Sequence, residues 1–187
     1  MQGITEKNIK LNPTIQIFNP FIFDKNKLVF LDRDGVINDN SDYYIVNVSD
    51  IIILEGVKEF IMYLSLKGFS IFIITNQSCV GKGLVTLKQE KEINRRIVSL
   101  IDYNQVIKSV IFCPHVIEDG CDCKKPATGM VDFIIDEFNL SFKNIESSYF
   151  IGDSVSDIEC ASSRKMRSFL ISENFTLSDC LKNIVEG

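Results

Sequence analysis

Nothing in this chain of 187 residues forms an apolar run near the roughly 18–20 residues needed to span a bilayer, so no membrane helix is expected. The opening stretch, "MQGITEKNIKLNPTIQIFNPF", lacks a basic start followed by an apolar block and a small-residue cleavage site. No secretory signal is read there, and a cytoplasmic protein with reduced thiols is expected. Its six cysteines are then metal ligands or free thiols rather than a disulfide framework. A long basic run is also missing. The 20 Lys and Arg are outnumbered by 25 Asp and Glu, for a net charge of −5, which argues against nucleic acid as a partner. Repeats, low-complexity segments and linkers are absent. What remains, at 45% hydrophobic and 24% charged, has the balance of one globular domain.

From Lys27 onward, short β-rich runs alternate with helix-like segments. Strands are expected at Leu28–Asp32, Phe69–Thr75, Val106–Cys113, Ser147–Gly152 and Arg167–Ile171. Helices are expected at Gly56–Lys67, closed by Gly68, at about Leu87–Tyr103, over 129–139, after Gly152, and from Ser178 to about Val185. Thr86 and Gln89 form a capping box ahead of a stripe of Ile93, Ile97, Leu100 and Ile101. Strands separated by helices predict an α/β fold with a central parallel sheet over 27–187. Residues 1–26 read as an extension without an assigned role. Its "TIQIFNPFIF" suits an edge strand or a packed arm, interrupted by Pro13 and Pro20.

Ligands of open parallel sheets bind beyond the carboxyl ends of the strands. The run "FLDRDGVIN" places Asp32 and Asp34 at the first such end. Taken alone, "DG" is also an ordinary turn. The second strand delivers Thr75, Asn76 and Gln77. The third delivers Cys113 and His115, with Lys124 and Lys125 soon after. The fourth delivers Asp153, with Asp157 one turn on. Turn chemistry alone would scatter such groups over both ends of the sheet. Asp153 also suits an N-cap, a role that Ser154 could fill instead. Asp157 reads either as a supporting acid or as a surface charge of its helix.

"CPHVIEDGCDC" gathers Cys113, the chain's one histidine, His115, and Cys121 and Cys123 within eleven residues. This matches a tetrahedral Cys₃His zinc site with no open position, hence a structural one. Cys160 and Cys180 are expected in the core, and Cys79 as a free thiol near the mouth of the site.

In their order, "FLDRDGVIN", "TNQSCVGKGL", "CPH…CDCKKP" and "FIGDSVSDIECA" resemble the haloacid dehalogenase superfamily of phosphohydrolases over about residues 28–171. Within it they are similar to the branch of heptose bisphosphate and histidinol-phosphate phosphatases. The resemblance implies a Rossmann-like fold and Mg²⁺ held by Asp32, Asp153 and the backbone carbonyl of Asp34. It implies Asp32 as the nucleophile that forms an aspartyl-phosphate and Asp34 as general acid and base. Thr75 and Lys125 would hold the phosphoryl oxygens, and Asn38, Asn76, Gln77, Lys82 and Lys124 would contact substrate.

The stretches from Asp32 to Thr75 and from Thr75 to Lys125 are too short for an inserted cap domain, so loops must wall the site. The expected partner is a small sugar phosphate, most specifically a heptose 1,7-bisphosphate, and the expected state is a monomer. Histidinol phosphate is the alternative substrate. A phosphotransferase, or a zinc-stapled binding module without catalysis, are the alternatives of other classes.

Overall fold

The computed structural model describes residues 11–41 and 43–186; the first ten residues of the expected extension lie outside them. Six strands form one sheet: β1 (Thr14–Ile17), β2 (Leu28–Leu31), β3 (Ser70–Asn76), β4 (Ile107–Cys113), β5 (Tyr149–Gly152) and β6 (Arg167–Leu170). Their order is β1-β4-β3-β2-β5-β6. All neighbours are parallel except β1, which runs antiparallel to β4. The five strands expected from sequence are β2 to β6, shifted at their ends by one or two residues. The segment left open between strand and arm is the edge strand β1. Pro13 and Pro20 lie outside it, where a missing N–H costs no ladder bond.

Among the described residues seven helices accompany the sheet: α1 (Val57–Leu66), α2 (Ser78–Gly81), α3 (Leu87–Ile101), α4 (Gly129–Glu137), α5 (Phe142–Glu146), α6 (Val155–Ser163) and α7 (Leu177–Glu186). The capping box of α3 forms as read: Gln89 N–H donates to Thr86 Oγ1 at 3.2 Å, and Thr86 N–H to Gln89 Oε1 at 2.9 Å. Gly68 takes a φ of +76° just beyond α1, the left-handed conformation that ends a helix. The helices α2 and α5 were not expected, because four or five residues are too few for a period to register.

The apolar runs of β2 and β3 have two covered faces. Val29, Leu31, Ile71 and Ile73 pack with residues of α1, α3 and α7. Leu28, Phe30, Phe72 and Ile74 pack with residues of α4, α5 and α6. Burial on both faces is why these strands read as continuous hydrophobic runs rather than alternating ones. The chain builds β2, β3 and β4 in one direction, then returns to lay β5 on the other side of β2. This reversal leaves a crevice at the carboxyl ends of β2 and β5, where ligands of doubly wound sheets bind.

Candidate active site

Asp32 follows β2 directly and its N–H is tied to the Ile151 carbonyl of β5 at 2.9 Å. Asp153 follows β5. The two carboxylates therefore face each other across the switch in strand order. Gly35 makes the approach possible: it holds a φ of +80°, and a Cβ there would fall 1.9 Å from Asp153 Oδ2. Asn40 donates to that same oxygen at 3.0 Å.

Lys125 is buried, and its ammonium donates to the Ile74 carbonyl at 3.0 Å and is ion-paired with Asp32 Oδ1 at 2.9 Å and Asp157 Oδ1 at 2.5 Å. Its backbone is clamped by Asn76, which accepts from Lys125 N–H at 2.9 Å and donates to its carbonyl at 3.1 Å. The question over Asp157 is thereby answered. It is fully buried, one oxygen pairing with Lys125 and the other accepting from Ser154 N–H and Oγ at the start of α6. Ser154 and Asp157 provide that cap between them, so Asp153 is not used as one.

Asp32 Oδ1 is ion-paired with Lys125 and accepts from Arg33 N–H at 2.7 Å; among the described residues no donor reaches Oδ2. Burial pushes the Asp32 carboxyl up to about 7. The negative neighbours Asp157 and Asp34 add to this, and Lys125 only partly offsets it. Asp153 is also raised, by burial first and by Asp157 second. Burial lowers Lys125, but Asp32 and Asp157 outweigh it and keep it charged. The cluster is short of positive charge. Oxygens of Asp32, Asp153 and Asp157 lie within 4.8 Å of one another. With Asp157 engaged elsewhere, Asp32 and Asp153 present a hard oxygen pair that fits a divalent cation such as Mg²⁺.

Asp34 has a different environment. Each of its oxygens accepts two bonds: Oδ1 from Arg33 Nε (3.1 Å) and Asn38 Nδ2 (2.8 Å), Oδ2 from Arg33 Nη2 (3.1 Å) and Gln77 Nε2 (2.6 Å). Burial would raise it, but the Arg33 guanidinium and the two amides hold it below the ordinary carboxylate range. Gln77 also donates to Thr75 Oγ1 at 2.8 Å.

The cleft over these groups encloses about 330 Å³. Asp32, Asp34, Thr75, Asn76, Lys124, Lys125 and Asp153 line it, with Tyr44, Asn40 and Ser78 as walls that the sequence did not single out. Lys124 donates to Ser78 Oγ. Lys82 is exposed and donates to the Tyr44 hydroxyl at 3.0 Å, above that ring. Asn38 and Gln77 are brought to the site but turned inward beneath Asp34, away from the cleft. Cys79 is not at the mouth. It is fully buried, its thiol within reach of Gln77 Oε1, and burial pushes it up to about 11. Cys160 and Cys180 are in the core as expected.

Cys113 ends β4, and a single turn over Ile117–Asp119 brings Cys121 and Cys123 back to it. The three sulfurs lie 3.2–3.5 Å apart, and His115 Nδ1 lies 3.5 Å from Cys113 Sγ and 3.2 Å from Cys123 Sγ. A tetrahedron of zinc–sulfur bonds of about 2.3 Å has edges of about 3.8 Å, so this soft donor set has the composition for zinc and would reach its size by spreading a few tenths of an ångström. The hydrogen bond from Cys123 pulls Cys113 down to about 5, while Cys123 itself is pushed up by the same contact.

The fold and its edge cluster define an α/β phosphohydrolase of haloacid dehalogenase type. The chain belongs to the polynucleotide kinase 3 phosphatase family, whose model matches residues 21–180. It is 35% identical over 136 residues to D-glycero-beta-D-manno-heptose-1,7-bisphosphate 7-phosphatase of Pseudomonas putida, covering 72% of this chain and 76% of that one. It is 38% identical over 143 residues to the D-glycero-alpha-D-manno-heptose-1,7-bisphosphate 7-phosphatase of Campylobacter jejuni, with the same coverages. Among solved structures, D,D-heptose 1,7-bisphosphate phosphatase from B. bronchiseptica, complexed with magnesium and phosphate, superposes with a TM-score of 0.71. That pair is 26% identical and covers 86% of this chain and 87% of the other. No helix among the described residues is long and apolar enough to cross a membrane.

Proposed function

We propose that this chain is a magnesium-dependent phosphomonoester hydrolase that removes the 7-phosphate of a D-glycero-D-manno-heptose 1,7-bisphosphate. The observation that carries the reading is the convergence of Asp32, Asp34, Lys125 and Asp153 on one cleft. The relatives' names supply the substrate class.

Asp32 and Asp153 would hold Mg²⁺, with the backbone carbonyl of Asp34. When bound, the ion supplies neutralisation of phosphoryl charge, without which an anion attacks a phosphate dianion poorly. Asp32 Oδ2, the oxygen without a protein donor, attacks phosphorus. The bond from phosphorus to the sugar oxygen breaks, and Asp34, having taken up a proton from the incoming substrate or solvent, gives it to that oxygen. Asp34 then takes a proton from the water that releases phosphate from Asp32. Thr75 and Lys125 hold the phosphoryl oxygens, and Asp157 and Asn76 keep Lys125 in place. Because the Asp34 carboxylate rests with four donors around it, proton transfer needs one to yield. The neutral amides of Asn38 and Gln77, each shared with a second acceptor, are held less by charge than the Arg33 fork.

The zinc loop would serve as a staple. Cys123 is followed directly by Lys124 and Lys125, so pinning it pins one wall of the cleft and the lysine beneath it. Lys124, with Lys82 beside the wall residue Tyr44, would hold the phosphate that stays on the sugar.

The test is phosphate release, with and without Mg²⁺, from both anomers of heptose 1,7-bisphosphate, histidinol phosphate and a 3′-phosphorylated oligonucleotide. The heptose bisphosphates should give the highest kcat/KM. Preference for either other substrate overturns the substrate assignment, and no release from any overturns the phosphatase reading.

A further inference from the structure

We infer that Arg33 and Glu90 are positioning residues that fix the Asp34 carboxylate for proton transfer, so that α3 takes part in building the acid–base machinery. The inference rests on the phosphatase reading above.

Arg33 lies between the two aspartates in sequence, yet its side chain is only 1% exposed and turns away from the cleft. Its fork grips Asp34 through two parallel bonds of 3.1 Å. The remaining Nη1 donates to Glu90 Oε1 at 2.5 Å and to Asn94 Oδ1 at 2.7 Å. Glu90 and Asn94 are four residues apart, one above the other on the buried face of α3, between the apolar positions of its stripe. Asn94 in turn donates to Gln16 Oε1 on β1 at 3.1 Å, and Gln16 Nε2 donates to the Lys91 carbonyl at 3.0 Å. A continuous chain of bonds thus runs from the acid–base carboxylate to the N-terminal edge strand.

A buried Asp–Arg–Glu triad is a poor device for stability alone, because desolvation consumes much of the Coulomb gain. Its geometry suits orientation instead. A bidentate fork fixes the plane of a carboxylate as a lysine cannot. An arginine adjacent to Asp34 in sequence can impose that plane only if its own far end is anchored. Glu90 and Asn94 are that anchor. Glu90 also supplies the second negative charge that lets Arg33 be buried without drawing all its compensation from Asp34.

The discriminating experiment compares kcat/KM for a heptose bisphosphate and for 4-nitrophenyl phosphate. This ratio reports the reaction only through departure of the leaving group. A sugar alkoxide must be protonated as it leaves, whereas 4-nitrophenolate leaves without a proton. Glu90→Gln keeps the volume and the acceptor for Arg33 but removes the charge; Arg33→Lys keeps the charge but loses the fork. Each should lower kcat/KM for the sugar phosphate ~10-fold or more, within the range of general acid contributions. The aryl phosphate should fall by less than about threefold. Thermal melts of both variants are recorded alongside. If Arg33→Lys does not fold, Glu90→Gln alone decides. Equal losses on both substrates, or no loss on either, overturn the inference while leaving the phosphatase reading intact. An unmodified chain inactive on both substrates overturns the two together.

Discussion

Asp32→Asn should abolish activity and at the same time stabilise the magnesium-free fold. Asp32 is buried beside Asp157 and Asp34, and its carboxyl is raised from 3.8 to about 7. At ~1.4 kcal/mol per pH unit, that rise means ~4 kcal/mol of stability withheld when Asp32 is ionised. The sign follows from comparing the two states. Below pH about 4 the group is protonated in both and contributes nothing. Between about 4 and about 7 the unfolded chain gives up its proton and the folded one does not, so stability falls. Above about 7 the loss is complete and constant. Asparagine removes this term, and the attraction to Lys125 at 2.9 Å is already contained in the value of about 7, so its loss is not subtracted again; Lys125 keeps Asp157 as its partner. At roughly 2–4 °C per kcal/mol for a chain of this size, ~4 kcal/mol corresponds to a Tm about 8–16 °C higher. The assay is thermal unfolding in magnesium-free buffer without chelator, so that the cysteine loop is undisturbed, at pH 5 and pH 8. The variant should melt above wild type at pH 8, with most of the gap gone at pH 5. Added Mg²⁺ should raise the wild-type Tm and close the gap from the other side. An Asp32→Asn protein that melts lower than wild type at pH 8, together with a wild-type Tm indifferent to Mg²⁺, would refute the charge-deficit account.

Three further outcomes are expected. Protein prepared without added metal should carry one zinc per chain by elemental analysis, and Cys121→Ser should reduce it and raise KM more than it lowers Tm; unchanged zinc in that variant would remove Cys121 from the ligand set. Gly35→Ala should cut magnesium-dependent turnover by ~10²-fold or more, because the new Cβ collides with Asp153 Oδ2 and strains a φ of +80°; turnover within a factor of two of wild type would count against Asp153 as a ligand. Lys124→Ala should raise KM for a sugar bisphosphate ~10-fold and matter less for a monophosphate, whereas equal effects on both would free Lys124 of any contact with the second phosphate.

What the sequence by itself determined about this protein is what depends on near neighbours along the chain. Apolar runs covered on both faces mark β2 to β5, Thr86 and Gln89 mark the start of α3, and Gly68 the end of α1. Because the parallel strands share one direction, the residues after each of them were already bound for one edge. That is why Asp32, Thr75, Lys125 and Asp153 were legible as a group, and why four close-set thiol and imidazole ligands could be read as a metal loop. Tertiary structure decided everything that depends on which side of an element meets which neighbour. Asp157 could have been a surface charge until the packing of α6 on β5 buried it against Lys125. Asn38 and Gln77 were read as substrate contacts, and the turn geometry after β2 and β3 put them under Asp34 instead. Cys79 fell behind the site because it is the buried residue of α2, a helix too short to leave a period. The Arg33–Glu90–Asn94 chain left no trace in any local pattern. Arg33 lies more than fifty residues from Glu90 and Asn94, and a polar residue on the buried face of a helix has no meaning until its partner arrives from another part of the chain.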